Sequence, residues 1–222
     1  MHDATRILVV DDHPILRHGI AQLINREPDL VVAAEAGGME EALAVLASLP
    51  IDLAVVDISL EGLSGLELLK ALRQRHPSVR ALVLSMHDET VYAERVLRVG
   101  ARGYIMKQEA TKKIVPALRE IRSGAIHLSE RMRQRLLSRF AEPVSTPDAS
   151  PLARLSDREL EVFRLIGKGM KTGDIARHLN RSVNTIEAHR AGLKRKLAVT
   201  SGPELARLAF RLLETAPPEG GR

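Results

Sequence analysis

Cysteine and tryptophan are missing from all 222 residues, and the aromatic content stops at three Phe and two Tyr. Without cysteine there is neither a disulfide nor a thiolate metal site, a composition that suits a reducing compartment. With so few rings, any core has to be assembled from Leu, Val, Ile and Ala. No stretch of about 18 apolar residues occurs, so no membrane-spanning helix is expected. The opening MHDATRILVV runs straight into an acidic pair. A secretory signal would need a basic start, a longer apolar stretch and small residues at a cleavage site. A cytoplasmic protein with no membrane partner is therefore expected.

What is present is ordinary in amount and uneven in placement. Apolar residues make up 45%, as in most globular proteins. Net charge is +5. Residues 1–124 hold 15 Lys/Arg against 17 Asp/Glu, a net −2, whereas residues 125–222 hold 18 against 11, a net +7. A basic half joined to a slightly acidic one suggests that one half meets a polyanion, and a merely solvated basic surface accounts for the charge equally well.

The first half alternates two patterns. Short, nearly all-apolar runs at Arg6–Val10, Leu30–Ala34, Leu53–Asp57, Ala81–Ser85 and Gly103–Met106 predict parallel strands covered on both faces. Between them, apolar residues recur at three- and four-residue spacing, as in Leu66, Leu69 and Leu72, and predict helices over Pro14–Arg26, Met39–Leu49, Gly65–Arg75, Thr90–Val99 and Thr111–Arg122. Five such alternations predict a doubly wound α/β domain with a five-stranded parallel sheet. A linker is expected over 124–150: a short helical stretch, Ser129–Phe140, then EPVSTPDASP, rich in Pro, Ser and Thr. No internal repeat is visible.

From Leu155 the pattern is wholly helical. Ser156 and Glu159 form a capping box, and that helix ends at Gly167 or Gly169. A second helix covers about Thr172–Leu179. After the turn Asn180-Arg181, Ser182 caps a third helix that ends near Leu197. Ser201 and Glu204 read as another capping box, opening a fourth helix to about Leu213; the tail APPEGGR is expected to be disordered.

Three carboxylates fall where strands should end. Asp11 and Asp12 follow the first strand and Asp57 closes the third; Ser85 ends the fourth and Lys107 follows the fifth. In an open α/β sheet, ligands bind at the carboxyl ends of the strands, where the strand order switches. Three adjacent carboxylates repel one another unless a hard cation lies among them, and oxygen donors of this kind suit Mg2+. Such a cation neutralises the oxygens of an incoming phosphoryl group, leaving one carboxylate to attack phosphorus. A lysine adds a second positive charge, and a nearby hydroxyl can sense the product by hydrogen bonding. Taken singly, each Asp reads more simply as a helix cap or a solvated strand end; the set of five argues otherwise.

The segments ILVVDDHP, VVDISLEGLSGLEL, LVLSMHD and GARGYIMK together resemble the receiver domain of response regulators over about residues 5–123. The resemblance implies that Asp57 is the phosphoacceptor, that Asp11 and Asp12 bind Mg2+ together with Asp57 and the backbone carbonyl of Ser59, and that Lys107 is the family's lysine. It likewise makes Ser85 the switch hydroxyl and Tyr104 the aromatic that turns inward with it. Many relatives carry Asn where this chain has Ser59 and Pro where it has Glu61; the first departure bears on the lifetime of the acyl phosphate, the second adds charge near the pocket rim.

In the helical half, two helices joined by a short turn outline a helix-turn-helix. On the third helix Ile186, Leu193 and Leu197 share one side. Asn184, Ala188, Ala191 and Arg195 point the other way, small and polar enough to enter a major groove, with Glu187 and Lys194 on a flank. Generic amphipathic helices share that outline. The full wording, LSDRELEVFRLIGKGMKTGDIARHLNRSVNTIEAHRAGLKRKL, resembles the DNA-binding domain of LuxR-type regulators over about residues 151–214, with the helix-turn-helix proper at Met170–His189. Receiver, linker and LuxR-type domain together are the NarL/FixJ arrangement.

The resemblance implies a transcription regulator, not an enzyme, driven by phosphoryl transfer from a sensor histidine kinase to Asp57. Its expected partners are double-stranded DNA, RNA polymerase and a second copy of the chain, paired through the fourth helix. Lys171, Thr172, Thr185, Arg190, Lys194 and Arg195 are expected DNA-facing groups beside Asn184, Glu187, Ala188 and Ala191. Two alternatives were open to the sequence. One is a LuxR-type factor whose receiver works without phosphate. The other is an aspartate-nucleophile phosphohydrolase, disfavoured because its second Asp would stand where Ser59 is. No G-x-G-x-x-G follows the first strand, which disfavours a dinucleotide fold.

Overall fold

In the computed structural model the described residues are 4–60, 65–86, 89–141 and 151–214. They fall into two compact units, residues 1–143 and 144–222. The first unit builds β1 (Thr5–Val10), α1 (Pro14–Asn25), β2 (Leu30–Ala36), α2 (Met39–Ser48), β3 (Leu53–Asp57), α3 (Gly65–Arg75), β4 (Arg80–Ser85), α4 (Glu89–Val99), β5 (Gly103–Met106), α5 (Ala110–Arg122) and α6 (Glu130–Ala141). All five strands are parallel, in the order β2-β1-β3-β4-β5. The order reverses between β1 and β3, which opens the crevice where Asp11 and Asp57 end their strands.

The central strands are apolar on both faces because both are covered. Ile7 and Val9 of β1, Leu53 and Val55 of β3, Leu82 and Leu84 of β4 and Ile105 of β5 pack with Ile20 and Ile24 of α1 and with Ile114, Leu118 and Ile121 of α5. The alternate residues, among them Leu8, Val10, Val56, Val83 and Tyr104, are equally buried on the opposite side. β2 is an edge strand and alternates instead. It runs two residues beyond its expected end because a bulge at Ile7/Leu8 keeps it paired with β1 as far as Ala36.

The expected linker does not begin at Gly124. Tyr104 N–H donates to the His127 carbonyl (3.1 Å), and His127 N–H to that of Arg102 (2.9 Å). Leu128 and Met132 are buried. Ser129 accepts the Met132 N–H (3.1 Å) to cap α6, and its hydroxyl donates to the carboxylate of Glu89 at the start of α4. Residues 126–132 therefore pack as part of the first unit, through backbone pairing that turn-rich composition does not reveal. Residues 142–150 of the expected linker, Glu61 and the tail lie outside the described residues.

The second unit holds α7 (Asp157–Gly167), α8 (Thr172–His178), α9 (Val183–Lys196) and α10 (Gly202–Glu214). The Ser156/Glu159 box caps α7 in both directions. The expected second box is only half made. Ser201 accepts the Glu204 N–H (3.2 Å), but the Glu204 carboxylate turns to the Thr200 N–H (2.9 Å) and hydroxyl (3.1 Å). α7, α8 and α9 each close with paired backbone bonds around a left-handed residue: Gly169 (φ 79°), Asn180 (φ 50°) and Ala198 (φ 54°). Gly and Asn tolerate that conformation; for Ala it costs about 1–2 kcal/mol.

One surface cluster ties the α1–β2 turn to α5. The Arg119 guanidinium reaches both Glu27 and Asp29 (2.6 Å each), and Arg122 reaches Asp29 at 2.9 Å. The hydrogen bond from Arg119 holds the Asp29 carboxyl down at about 2. A folded value below the unfolded 3.8 adds stability that is complete above the unfolded value and is lost as pH falls through about 2. In Arg119→Ala, carboxyl-carbon NMR is expected to show Asp29 titrating closer to 3.8, and the acid-unfolding limb between about pH 4 and 2 should flatten. An unmoved Asp29 titration would assign its depression to Arg122 instead.

Candidate functional site

Asp11 and Asp57 are each 1% exposed at the ends of β1 and β3. The ammonium of Lys107, in a one-turn 3-10 helix just after β5, bridges them at 2.7 Å to Asp11 Oδ2 and 2.8 Å to Asp57 Oδ2. Their other oxygens are held by backbone: Asp57 Oδ1 accepts the Ser59 N–H (2.9 Å) and Asp11 Oδ1 the His13 N–H (2.8 Å). Arg17 donates to the Asp11 carbonyl (2.7 Å), which fixes the turn into α1. Asp12 stands at the rim, 2.7 Å from the His13 imidazole. The residue before α1 is His13, whose side chain makes no capping hydrogen bond. Asp11 is committed to the pocket rather than to capping a helix.

Charge is out of balance here. Three carboxylates face one ammonium. Burial pushes the Asp57 carboxyl above its ordinary range, and the neighbouring Asp11 charge adds to this against the pull of Lys107 and the Ser59 N–H. Burial works against the Lys107 ammonium, but the carboxylates of Asp57 and Asp11 overcome it and raise its pKa. The two upward shifts have different origins, burial for the acid and neighbouring carboxylates for the base. Ligand atoms of Asp11, Asp12, His13 and Asp57 lie within 4.8 Å of one another, so a divalent cation would find donors converging on one point.

Ser85 is fully buried and Tyr104 is 2% exposed. Val83 is the register partner of Tyr104, and Ser85 lies two residues beyond Val83. The two-residue period of a strand therefore puts Ser85 and Tyr104 on the same face of the sheet, and Tyr104 occupies an inward position. Leu84 is the register partner of Asp57, which brings Ser85 to the same edge as the acids.

Glycine 65 escaped the sequence reasoning. A Cβ there would lie 2.1 Å from the Asp57 carbonyl oxygen and 2.7 Å from Ile58 Cα, so α3 can start against the end of β3 only without a side chain. A lone Gly at a helix start carries no such signal. Gly65→Ala is expected to cost about 1–3 kcal/mol by overcrowding, measured by urea unfolding, and to lower the midpoint without changing the slope. Wild-type stability would show that the loop has room to yield.

In the second unit, α8 and α9 form the expected helix-turn-helix. Ile186 and Leu193 are fully buried, while Leu197 is only half-buried at the helix end; Gly192, not Leu197, completes the packed side. A Cβ on Gly192 would meet Glu159 Oε1 at 2.9 Å, so this residue lets α9 approach α7. Lys196 pairs with Glu159 at 2.6 Å. Lys171, Asn184, Glu187, Ala188, Ala191 and Arg195 are exposed; Thr172, Thr185, Arg190 and Lys194 are half-buried. The Thr185 hydroxyl lies 2.8 Å from that of the N-cap Ser182. Thr172 donates to Glu187 Oε1 (2.9 Å), and Arg190 Nε lies 4.0 Å from the same oxygen. Two expected contacts, Thr172 and Glu187, thus meet each other across the turn.

These features agree with known proteins. Residues 7–119 match the response regulator receiver domain, and residues 153–209 match the LuxR family of bacterial regulatory proteins. The chain is 34% identical over 212 residues to the oxygen regulatory protein NreC of Staphylococcus epidermidis, covering 93% of this chain and 97% of that one. It is 35% identical over 204 residues to the transcriptional regulatory protein UhpA of Escherichia coli, covering 92% and 97%. The structure of RcsB from Salmonella typhimurium superposes with a TM-score of 0.73 at 26% identity, covering 96% of this chain and all of that one. RcsB bound to a promoter in the presence of the phosphomimetic BeF3− gives 0.70 at 25% identity, covering 94% and 100%. Fold and pocket define a two-component response regulator, a transcription regulator and not a conventional enzyme. Within that class the chain belongs to the NarL/FixJ family, which joins a receiver domain to a LuxR-type helix-turn-helix.

Proposed function

We propose that the chain receives a phosphoryl group on Asp57 from a sensor histidine kinase and in response changes its binding to double-stranded DNA. The observation that carries this is the Lys107 ammonium bridging two buried carboxylates, with a third at the rim and surplus negative charge throughout. Asp11, Asp12, Asp57 and the Ser59 backbone carbonyl suit Mg2+, which takes oxygen donors; when bound, it would neutralise phosphoryl oxygens during transfer. The Asp57 carboxylate attacks phosphorus in line as the phosphorus–nitrogen bond of the donor imidazole breaks, and the leaving nitrogen keeps the bonding pair. Lys107 moves from the carboxylates to a transferred oxygen. The Ser85 hydroxyl then donates to the acyl phosphate, and Tyr104, on the same face, holds its inward position. This is a shift between pre-existing conformers. Among the described residues no helix is long and apolar enough to cross a membrane; the receiver-domain match supports a place in the cytoplasm.

Asp57→Ala tests the acceptor. Incubated with Mg2+ and phosphoramidate, the wild type is expected to gain one hydroxylamine-labile phosphate and the variant none, read by phosphate-affinity electrophoresis. A labile phosphate kept by the variant refutes the assignment. Failure of the wild type to be labelled would favour the phosphate-independent alternative.

On DNA, the exposed face of α9 would enter the major groove, with Asn184, Ala188 and Ala191 at the base edges. RcsB is the structural precedent for promoter binding. Exposed Phe210 on α10 supports pairing with a second copy, which would present two half-sites. RNA polymerase is a partner consistent with transcription control. Glu187 cannot pair with phosphate but can accept from cytosine N4, and its bond to Thr172 holds the carboxylate in place. Arg190, Lys194 and Arg195 would meet phosphate, with Lys171, Thr172 and Thr185 at the flanks.

Glu187→Ala is expected to shift the preferred half-site by about 1–3 kcal/mol at one base pair. Lys194→Ala should weaken all sites alike and reduce the salt slope by about one. Binding-site selection on both variants checks the division of roles, which fails if Lys194→Ala alters preference and Glu187→Ala does not.

A further inference from the structure

A second pocket opens at the other end of the sheet. It lies against Arg80, the first residue of β4, and Arg102, just before β5, whereas Asp57 and Ser85 end their strands. Its volume is about 720 Å³, and four arginines line it: Arg73, Arg80, Arg98 and Arg102. No Asp or Glu is among its lining residues.

Two of the arginines, Arg73 and Arg80, are anchored without being neutralised. Arg73 donates to the carbonyl of Arg98 (2.8 Å), near the end of α4. Arg80 donates to the carbonyls of Ile121 (2.8 Å) and Arg122 (2.6 Å), at the end of α5. Capping helix ends is a sufficient reason for those three bonds, but each arginine uses one nitrogen of a group that carries five N–H donors. Among the described residues only Arg98 has a carboxylate partner, Glu94, and Arg102 has none. Elsewhere in the same unit several arginines pair with acids, Arg6 with Asp52, Arg17 with Glu35 and Arg119 with Asp29, although the pattern is not general. Capping also leaves the cavity's apolar side unexplained. Leu69 and Leu72 are buried beneath it, Leu97 flanks it, and Ile126 is 44% exposed at its edge.

From these observations we infer that the cavity binds a phosphorylated small molecule of nucleotide type. Its phosphates would meet the guanidinium forks, which match phosphate oxygens in pairs, and its planar apolar part would lie against Leu97 and Ile126, lining apolar residues that are not buried. The volume falls within the 300–1,000 Å³ or so typical of small-molecule sites and is far larger than a lone phosphate fills. The site is distinct from the phosphorylation pocket and does not depend on its assignment.

Calorimetry on the full chain in Mg2+-free buffer tests this with ADP, UDP, adenosine and inorganic phosphate. At least one nucleotide is expected to bind saturably below millimolar concentration, with adenosine and phosphate each at least tenfold weaker. Arg102→Glu should weaken the nucleotide at least tenfold while leaving the thermal unfolding midpoint unchanged. If that midpoint falls, Arg102→Gln, which removes the charge alone, must still weaken binding. Asp57→Ala should leave nucleotide affinity as in the wild type. The inference is overturned if neither nucleotide saturates, if the Arg102 variants bind as the wild type does, if adenosine matches the nucleotide, or if phosphate does.

Discussion

Repulsion among Asp11, Asp12 and Asp57, relieved by the single ammonium of Lys107, is the constraint around which the first unit is built. Removing carboxylates from water is costly, and an ion pair so placed seldom stabilises a fold by itself. The three acids come from two strand ends, and the lysine follows a third. They meet only if β1, β3 and β5 end at one level, and the parallel register delivers this. One ammonium against three carboxylates does not fully offset the acids. That residual charge is what an incoming cation and phosphoryl group would act on.

The rest of the unit follows from keeping this edge in place. Gly65 is bare because the chain leaving β3 passes too close for a side chain. Ser85 and Tyr104 share the face away from α1 and α5, on the α4 side of the sheet. There Glu89 is hydrogen-bonded to Ser129, the cap of α6. Glu89 thus ties the start of α4 to the last described helix of the unit. The two ends of the sheet also differ in lining, with acids at the carboxyl ends of the strands and the arginine-lined pocket at the opposite end.

In the helical unit the work is done by chain ends. α7, α8 and α9 are short, and each stops on a left-handed residue that redirects the chain. At Ala198 that stop carries backbone strain, and at Gly192 the missing side chain admits Glu159. Gly192 and the Lys196–Glu159 pair hold α9 against α7, while Asn184, Ala188, Ala191 and Arg195 on its other side are exposed.

Much of this was written in the sequence. The strand–helix alternation, the five pocket residues, the Ser156 and Ser182 caps and the packed side of α9 at Ile186 and Leu193 all depend on local pattern. Local pattern survives because apolar periodicity and capping act within a few residues of chain. The sequence by itself therefore determined the two architectures and the residues that could carry the chemistry. Only tertiary structure decided what they touch. His127 pairing beside β5, Glu204 turning to Thr200, Thr172 meeting Glu187, and four arginines gathered around one pocket all rest on approaches between backbones and side chains. Such distances are set by packing, and no spacing along the chain encodes them.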